Sequence, residues 1–283
     1  MGLISIVTGA NSGIGKETAL ALAKRGDEVI IICRNEEKAK KAQEDIIQQT
    51  NNTNVKIFLA DFSIQEDIEK VSESILTQYN KIDVLVNNAG FIAPSYRVLT
   101  KDGFEATFAV NHLGYFALTN RLKPILTKGN RVKIINVSSA AHKIATLNFQ
   151  NLQGEKSYSH INAYAISKLC NILFTRELAK RIEGTYITAN CLHPGVVSTG
   201  FAKDSTGITR FLMGLAKPFM ISAEQGAETS IFLATSPEAD NLNGEYLVKK
   251  KVKTPTYEAR NMEKAKKLWD LSAEMCNLVG KTF

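Results

Sequence analysis

The 283-residue sequence predicts an α/β fold, a mostly parallel sheet of seven strands with helices on both faces. Three observations carry that expectation. Short runs rich in Ile and Val alternate with stretches of helical period. The runs are apolar on both faces, as strands of a parallel sheet covered from two sides are. A glycine-rich turn, "TGANSGIG" (8–15), stands directly between the first such run and the first helical stretch.

The strands in order are "LISIVT" (3–8), "EVIIIC" (28–33), "VKIFLA" (55–60), "IDVLVN" (82–87), "VKIINVS" (132–138), "TYITANCL" (185–192) and a last one near 244–248. Helices are expected at 13–25, 36–49, 64–79, 103–127 and 159–183. Strand–helix alternation of this kind builds right-handed βαβ units in a doubly wound sheet. A C-terminal helix at about 257–279 is expected to be anchored by Trp269 and Leu271. No internal repeat, low-complexity tract or linker interrupts 1–283, so one domain is expected.

Composition narrows the function classes. Hydrophobic residues make up 44% of the chain, enough for a full core. The segment from Met1 to Val7 enters a strand at once and is too short for a signal peptide. No apolar stretch has spanning length. A soluble, cytoplasmic protein is expected. The cysteines, Cys33, Cys170, Cys191 and Cys276, stand far apart in mostly apolar runs, which reads as buried free thiols and no metal site. Net charge is +7, with much of the surplus in "VKKKVK" (248–253) and "EKAKK" (263–267). A solvated strand end and helix face account for it, and weak attraction to a membrane surface or acidic ligand is the rival. Basic residues without interleaved aromatics argue against nucleic acid. Homo-oligomerisation stays open.

Chemistry is concentrated in a few motifs. Gly9, Gly13 and Gly15 let backbone amides approach a pyrophosphate at a helix N-terminus, with Asn11, Ser12 and Ile14 between them. The P-loop spacing fails, because Lys16 is followed by Glu17. The second strand ends "CRN". Arg34 occupies the place of an acid that would bind a ribose 2′-hydroxyl, and a guanidinium there suits a 2′-phosphate. An ordinary surface arginine is the plain alternative, and Glu36 and Glu37 follow closely.

"NAYAISKLCN" (162–171) places Tyr164 and Lys168 four residues apart in a helical pattern, hence on one face. The same spacing recurs at Tyr246 and Lys250, but there the pattern is that of a strand, where four residues span about 13 Å. Only the first pair can act together.

"TGANSGIG" (8–15), "NNAG" (87–90), "NVSS" (136–139), "YAISK" (164–168) and "HPGVVST" (193–199) together resemble the short-chain dehydrogenase/reductase family, in its order and over nearly the whole chain. "GFEATFAVNHLGYFALT" (103–119), "NVSSAAH" (136–142), "NLQGEKSY" (151–158) and "ISKLCNILFTRELAKR" (166–181) resemble its retinol dehydrogenase-like branch. The resemblance implies a single Rossmann domain and a catalytic set of Tyr164, Lys168, Ser139 and Asn111. Tyr164 would be general acid or base, its pKa lowered by Lys168 and by the nicotinamide. Lys168 would hold the nicotinamide ribose, and Ser139 rather than Ser138 would bond the substrate oxygen. Asn111 resembles the asparagine that holds a relay water. Asp61 would bond the adenine amino group beside Phe62, and Asn88, Ala89 and Gly90 would line the adenosine ribose. Pro194, Gly195, Val197 and Thr199 would meet the carboxamide. His112 and His193 read as structural.

The expected activity is NADP(H)-dependent hydride transfer to or from an apolar aldehyde, ketone or alcohol, with NAD the less favoured cofactor. Retinoid-like lipids and general steroid, quinone or xenobiotic carbonyls remain open as substrates. A non-catalytic NADP(H) sensor is the rival class, and such relatives usually lose the tyrosine or lysine. Ser139 precedes Tyr164 by a long segment, and roughly 142–160 is expected at the substrate entrance. "STGITRFLMGLAKPFMI" (205–221) is expected to form a lid, within about 200–221, whose face of Phe211, Leu212 and Leu215 covers the substrate.

Overall fold

The computed structural model describes residues 2–196 and 221–283. A sheet of eight strands runs through it in the order β3-β2-β1-β4-β5-β6-β7-β8. β1 (Ile4–Thr8), β2 (Glu28–Cys33), β3 (Val55–Leu59), β4 (Val84–Asn87), β5 (Val132–Val137), β6 (Ile187–His193) and β7 (Tyr246–Val248) are parallel. β8 (Lys251–Val252) runs antiparallel to β7.

The expected seven strands therefore fall one short. "GEYLVKKKV" is not one strand, because the ladder stops at Val248. Lys249 and Lys250 take positive φ, 51° and 62°, and turn the chain back into β8. Two central residues with positive φ match the twist of a two-residue hairpin. Tyr246 is buried in β7, while Lys250 sits in the turn and pairs with Glu228 at 2.8 Å.

Helices cover both faces: α1 (Gly13–Arg25), α2 (Glu36–Thr50), α3 (Gln65–Gln78), α4 (Ala106–Phe108), α5 (Gly114–Arg121), α6 (Lys123–Leu126), α7 (His160–Arg181), α8 (Ala223–Thr235) and α9 (Met262–Met275). The strand residues alternate between two apolar clusters. Ile6, Ile30 and Ile32 join one, and Val7, Val29, Ile31 and Cys33 join the other. That alternation is why these strands read as apolar on both faces.

The helix expected over 103–127 is broken. The buried Glu105 carboxylate accepts the Phe108 N–H at 2.7 Å and starts α4. A π-helical turn, Ala109–Leu113, leads into α5, and Pro124 lies at the start of α6. The extra residue of a π-turn swings side chains out of α-helical register, and such turns are frequent at functional sites.

At the C-terminus, Asn261 caps α9 by accepting from the Lys264 N–H at 2.9 Å, so the helix is shorter than 257–279. Trp269 is buried, stacked on Phe174 and edge-on to Phe116. Leu268, and not the half-buried Leu271, is the second anchor. All four cysteines are buried free thiols.

The strand order reverses between β1 and β4. In open α/β sheets the ligand crevice opens there, at the carboxyl ends of the strands.

Candidate active site

The turn from β1 into α1 is built for close backbone approach. Gly9 takes φ +66°, and a Cβ there would stand 2.8 Å from the Ala89 Cα. A Cβ on Gly15 would strike the Asn88 amide and come within 2.5 Å of the Gly9 carbonyl oxygen. Gly13 also takes positive φ, 54°. Asn11 and Ile14 are half-buried, and Ser12, the cap residue of α1, is exposed and makes no side-chain capping bond. The first turn of α1 carries no acidic residue, so its free amides face an anion without competition. A dinucleotide pyrophosphate fits this cradle.

Thr8 joins the turn to the end of β4. Its Oγ1 accepts the backbone N–H of both Asn88 and Ala89 at 2.9 Å, and the Asn88 Nδ2 donates to the Thr8 carbonyl at 2.9 Å. Asn88 and Ala89 thereby form the wall of the turn, and Gly90 beyond them is exposed.

Arg34 follows β2 and Asp61 follows β3. The Arg34 guanidinium, 73% exposed, lies 3.5 Å from the Asp61 carboxylate. Asp61 is held by the N–H and hydroxyl of Ser63, at 2.9 and 2.7 Å. Glu36 pairs instead with Lys40 at 2.7 Å along α2. The Phe62 side chain turns into the core, close against Gly114, so only its backbone is left to meet a nucleotide.

The reacting groups come from β5 and α7. Ser138 and Ser139 extend beyond β5 and point in opposite directions. Ser138 is buried, and its hydroxyl donates to the Lys168 carbonyl at 2.7 Å. The Ser139 hydroxyl bonds Tyr164 and also accepts the Ala141 N–H at 3.2 Å. The two hydroxyls therefore serve different partners, and Ser139 is the one beside Tyr164.

Lys168 is buried one turn below Tyr164. Its Nζ donates to the Val137 carbonyl at 3.1 Å and lies 5.7 Å from the Tyr164 ring centroid and 5.8 Å from that of Tyr115. Burial pushes Lys168 down to about 7. Burial also raises Tyr164 above an ordinary phenol, and the Ser139 bond lowers it in part. Desolvation therefore acts on Tyr164 against the lowering expected from Lys168 and the nicotinamide. Tyr115 was missed by sequence reasoning. It follows the π-turn, whose extra residue breaks α-helical register, so no spacing in the sequence placed it beside Lys168.

Asn111 sits in the π-turn with its side chain fully engaged. Its Oδ1 accepts the Phe91 N–H at 2.8 Å, and its Nδ2 donates to the Phe91 carbonyl at 2.9 Å and to Ser167 Oγ at 3.0 Å. Ser167 in turn donates to the Tyr164 carbonyl at 2.8 Å. Asn111 therefore links the loop after β4 to the helix that carries Tyr164 and Lys168. His112, next to it, points into the core and meets Ser272 at 2.8 Å.

The segment 142–160 is tied down at several places. The Leu147 N–H donates to Glu258 at 2.7 Å, Arg97 Nε donates to the Gln153 carbonyl at 2.8 Å, and the Tyr158 hydroxyl donates to the buried Glu105 at 3.1 Å. Pro194 and Gly195 follow β6. Gly195 has φ +99°, and a Cβ there would stand 2.6 Å from Ile221. Val197, Thr199, Phe211, Leu212 and Leu215 lie outside the described residues, as does all of the expected lid except Ile221. Among the described residues no helix is long and apolar enough to cross a membrane.

A buried amine, a phenol and a serine hydroxyl thus meet beside a dinucleotide-shaped turn. That arrangement can move a proton at the atom where a hydride arrives or leaves. The family model described as short chain dehydrogenase matches residues 4–207. The chain belongs to the short-chain dehydrogenases. It is similar to retinol dehydrogenase 12 of Mus musculus, 41% identical over 98% of this chain and 87% of that protein. It is 40% identical to retinol dehydrogenase 11 of Homo sapiens, over 99% of this chain and 86% of that protein. Among solved structures it resembles a putative uncharacterized protein from Mycobacterium paratuberculosis, with a TM-score of 0.79 and 30% identity, over 97% of this chain and 93% of that one. This short-chain dehydrogenase is an oxidoreductase of the retinol dehydrogenase-like branch, acting on CH–OH groups with a nicotinamide cofactor.

Proposed function

We propose that the enzyme uses NADP(H) to interconvert an apolar aldehyde or ketone and its alcohol. The observation that carries this reading is the contact of Ser139 with Tyr164, one helical turn from the buried Lys168. When bound, the nicotinamide supplies or takes up the hydride. Tyr164 donates its proton to the carbonyl oxygen on reduction and takes one on oxidation. Ser139 donates a hydrogen bond to the same oxygen and stabilises its developing charge. Lys168 would hold the nicotinamide ribose and, in its charged form, would favour the phenolate. Asn111 is a positioning residue through Ser167.

Gly9, Asn11, Ser12, Gly13, Ile14 and Gly15 would hold the pyrophosphate, and Asp61, Asn88, Ala89 and Gly90 the adenosine. NADP(H) is favoured over NAD(H) because Arg34 is exposed at the end of β2 and no carboxylate side chain occupies that position. An apolar substrate is supported by the names of the relatives and by the composition of 205–221, rich in Ile, Phe, Leu and Met.

The test is NADPH oxidation with a series of n-alkanals and with retinal, run in parallel with NADH. Burying each further CH₂ contributes about 0.8 kcal/mol. The reading expects kcat/KM to climb several-fold per pair of carbons before levelling off, with NADPH preferred. Equal rates for short polar and long apolar aldehydes would remove the apolar substrate. A preference for NADH would remove the role of Arg34.

A further inference from the structure

Two histidines outside the catalytic set converge on one peptide group, the one that joins Ser139 to Ala140. Its carbonyl oxygen, on Ser139, lies 2.7 Å from His142 Nδ1. Its N–H, on Ala140, donates to His193 Nδ1 at 3.1 Å. A carbonyl can only accept, so His142 Nδ1 carries a proton. A backbone N–H can only donate, so His193 Nδ1 does not. The two imidazoles are thus held as opposite tautomers by opposite ends of one peptide plane.

His142 reaches the peptide from three residues away, and the fold brings His193 to it from 53 residues away. β5 and β6 pair Val137 with Leu192, and the Ser138 N–H continues the ladder to the Leu192 carbonyl at 2.8 Å. His193 is the next residue of β6, level with Ser138 in this register, and its ring reaches the Ala140 N–H just beyond. His142 lies in the 3-10 turn that starts after Ser139. Its ring is fully buried and packs edge-on against Tyr246 of β7, with centroids 5.0 Å apart. The His142 ring is thus braced against β7 although its backbone belongs to the turn, and His193 is carried by β6. Burial, with His142 and Lys143 nearby, holds His193 down to about 4, so its Nδ1 stays bare at neutral pH. Burial likewise lowers His142.

We propose that His142 and His193 are positioning residues, clamping the Ser139–Ala140 peptide so that the Ser139 hydroxyl is aimed at Tyr164 and the substrate oxygen. The clamp rests on the reading of Ser139 given above. Ser139 caps a short 3-10 turn, and the one backbone bond on its side of the peptide plane is the His142 N–H to its carbonyl, long at 3.2 Å. Rotation of that plane would swing Oγ away from Tyr164. Misplacement of a reacting group by about 1 Å can cost about 100-fold in rate.

The tautomers are tested first, without substrate. The chain has 4 histidines, so long-range proton–nitrogen NMR of the imidazoles is assignable with single variants. The clamp requires a protonated Nδ1 at His142 and a protonated Nε2 at His193 near pH 7. The same tautomer at both would overturn it.

Consequences are then read in the reduction of decanal by NADPH. Asn places a polar atom close to where His Nδ1 stands: its Oδ1 can accept at position 193, and its Nδ2 can donate at 142. Leu keeps the bulk and removes the bond. The expectation is a 10- to 100-fold fall in kcat for His142→Leu and His193→Leu, with KM for NADPH within twofold and most of the rate recovered in the two Asn variants. In a Ser139→Ala background, either Leu change should cost less than threefold further, since its effect passes through Ser139. If a Leu variant fails to fold, His193→Gln and His142→Gln, with the polar atom one bond too far, replace the pair.

Equal rates for Leu and Asn variants, or losses that persist in full without Ser139, would overturn the clamp alone. Full turnover by Ser139→Ala would overturn the reading of Ser139 and the clamp with it.

Discussion

Lys168 holds its Nζ 5.7 Å from the centroid of the Tyr164 ring, yet its hydrogen bond goes to the Val137 carbonyl, at 3.1 Å. The amine is buried among apolar residues and aromatic rings, and this burial pushes it down to about 7. An unfolded lysine titrates near 10.4. Between those values the unfolded chain binds a proton that the folded chain does not. Stability therefore rises with pH through that window, and below pH 7 the full cost of burying the charge is present. Lys168→Met should raise Tm most at pH 6, by several degrees, with the advantage shrinking toward pH 10. Thermal melts of the cofactor-free protein across that range check it. An advantage that does not change with pH would mean that the lysine is not held neutral.

The turn after β1 should tolerate no side chain at Gly15. A Cβ there would meet the Asn88 amide and the Gly9 carbonyl, and Asn88 is itself fixed to Thr8. Overpacking of this kind costs about 1–3 kcal/mol. Gly15→Ala is expected to lose that much in urea unfolding and also to weaken NADPH binding, measured by fluorescence. A variant with both quantities at wild-type values would contradict the close fit of turn and wall.

Arg34 makes a single long contact, at 3.5 Å, with Asp61 and is otherwise exposed. Removing it should cost the fold little. A charge-assisted bond to a 2′-phosphate contributes about 1.5–3 kcal/mol, so Arg34→Ala should weaken NADPH roughly 10- to 150-fold. NADH binding should barely change. Titration of both cofactors into wild type and variant decides it, and equal losses for the two would take the 2′-phosphate away from Arg34.

Most of the sheet was legible because its strands are apolar on both faces and short, whereas α8 (Ala223–Thr235) was not expected from the sequence. The places that were not legible share a physical cause. Lys249 and Lys250 form a hairpin turn at positive φ, and lysine carries none of the turn signal that Asn or Gly would. The π-turn over Ala109–Leu113 adds one residue to a helix without changing its composition. Asn111 was found by motif, but its partner is the backbone of Phe91, which no pattern of side chains announces. His142 and His193 are 51 residues apart and meet only because β5 pairs with β6. Ser139 was chosen over Ser138 by motif alone, since alternation says only that one of the two can face the site, and the Ser138 hydroxyl is turned to the Lys168 carbonyl.

The central claim is that Tyr164 moves the proton when the hydride moves. Tyr164→Phe removes the hydroxyl and keeps the ring, the helix and the cradle around Gly9. Turnover of decanal by saturating NADPH, measured alongside NADPH affinity, tests it most directly. The account predicts kcat about 100- to 10,000-fold below wild type, with NADPH binding within twofold. Turnover near the wild-type rate would remove Tyr164 from the chemistry and leave the contact with Ser139 a matter of packing.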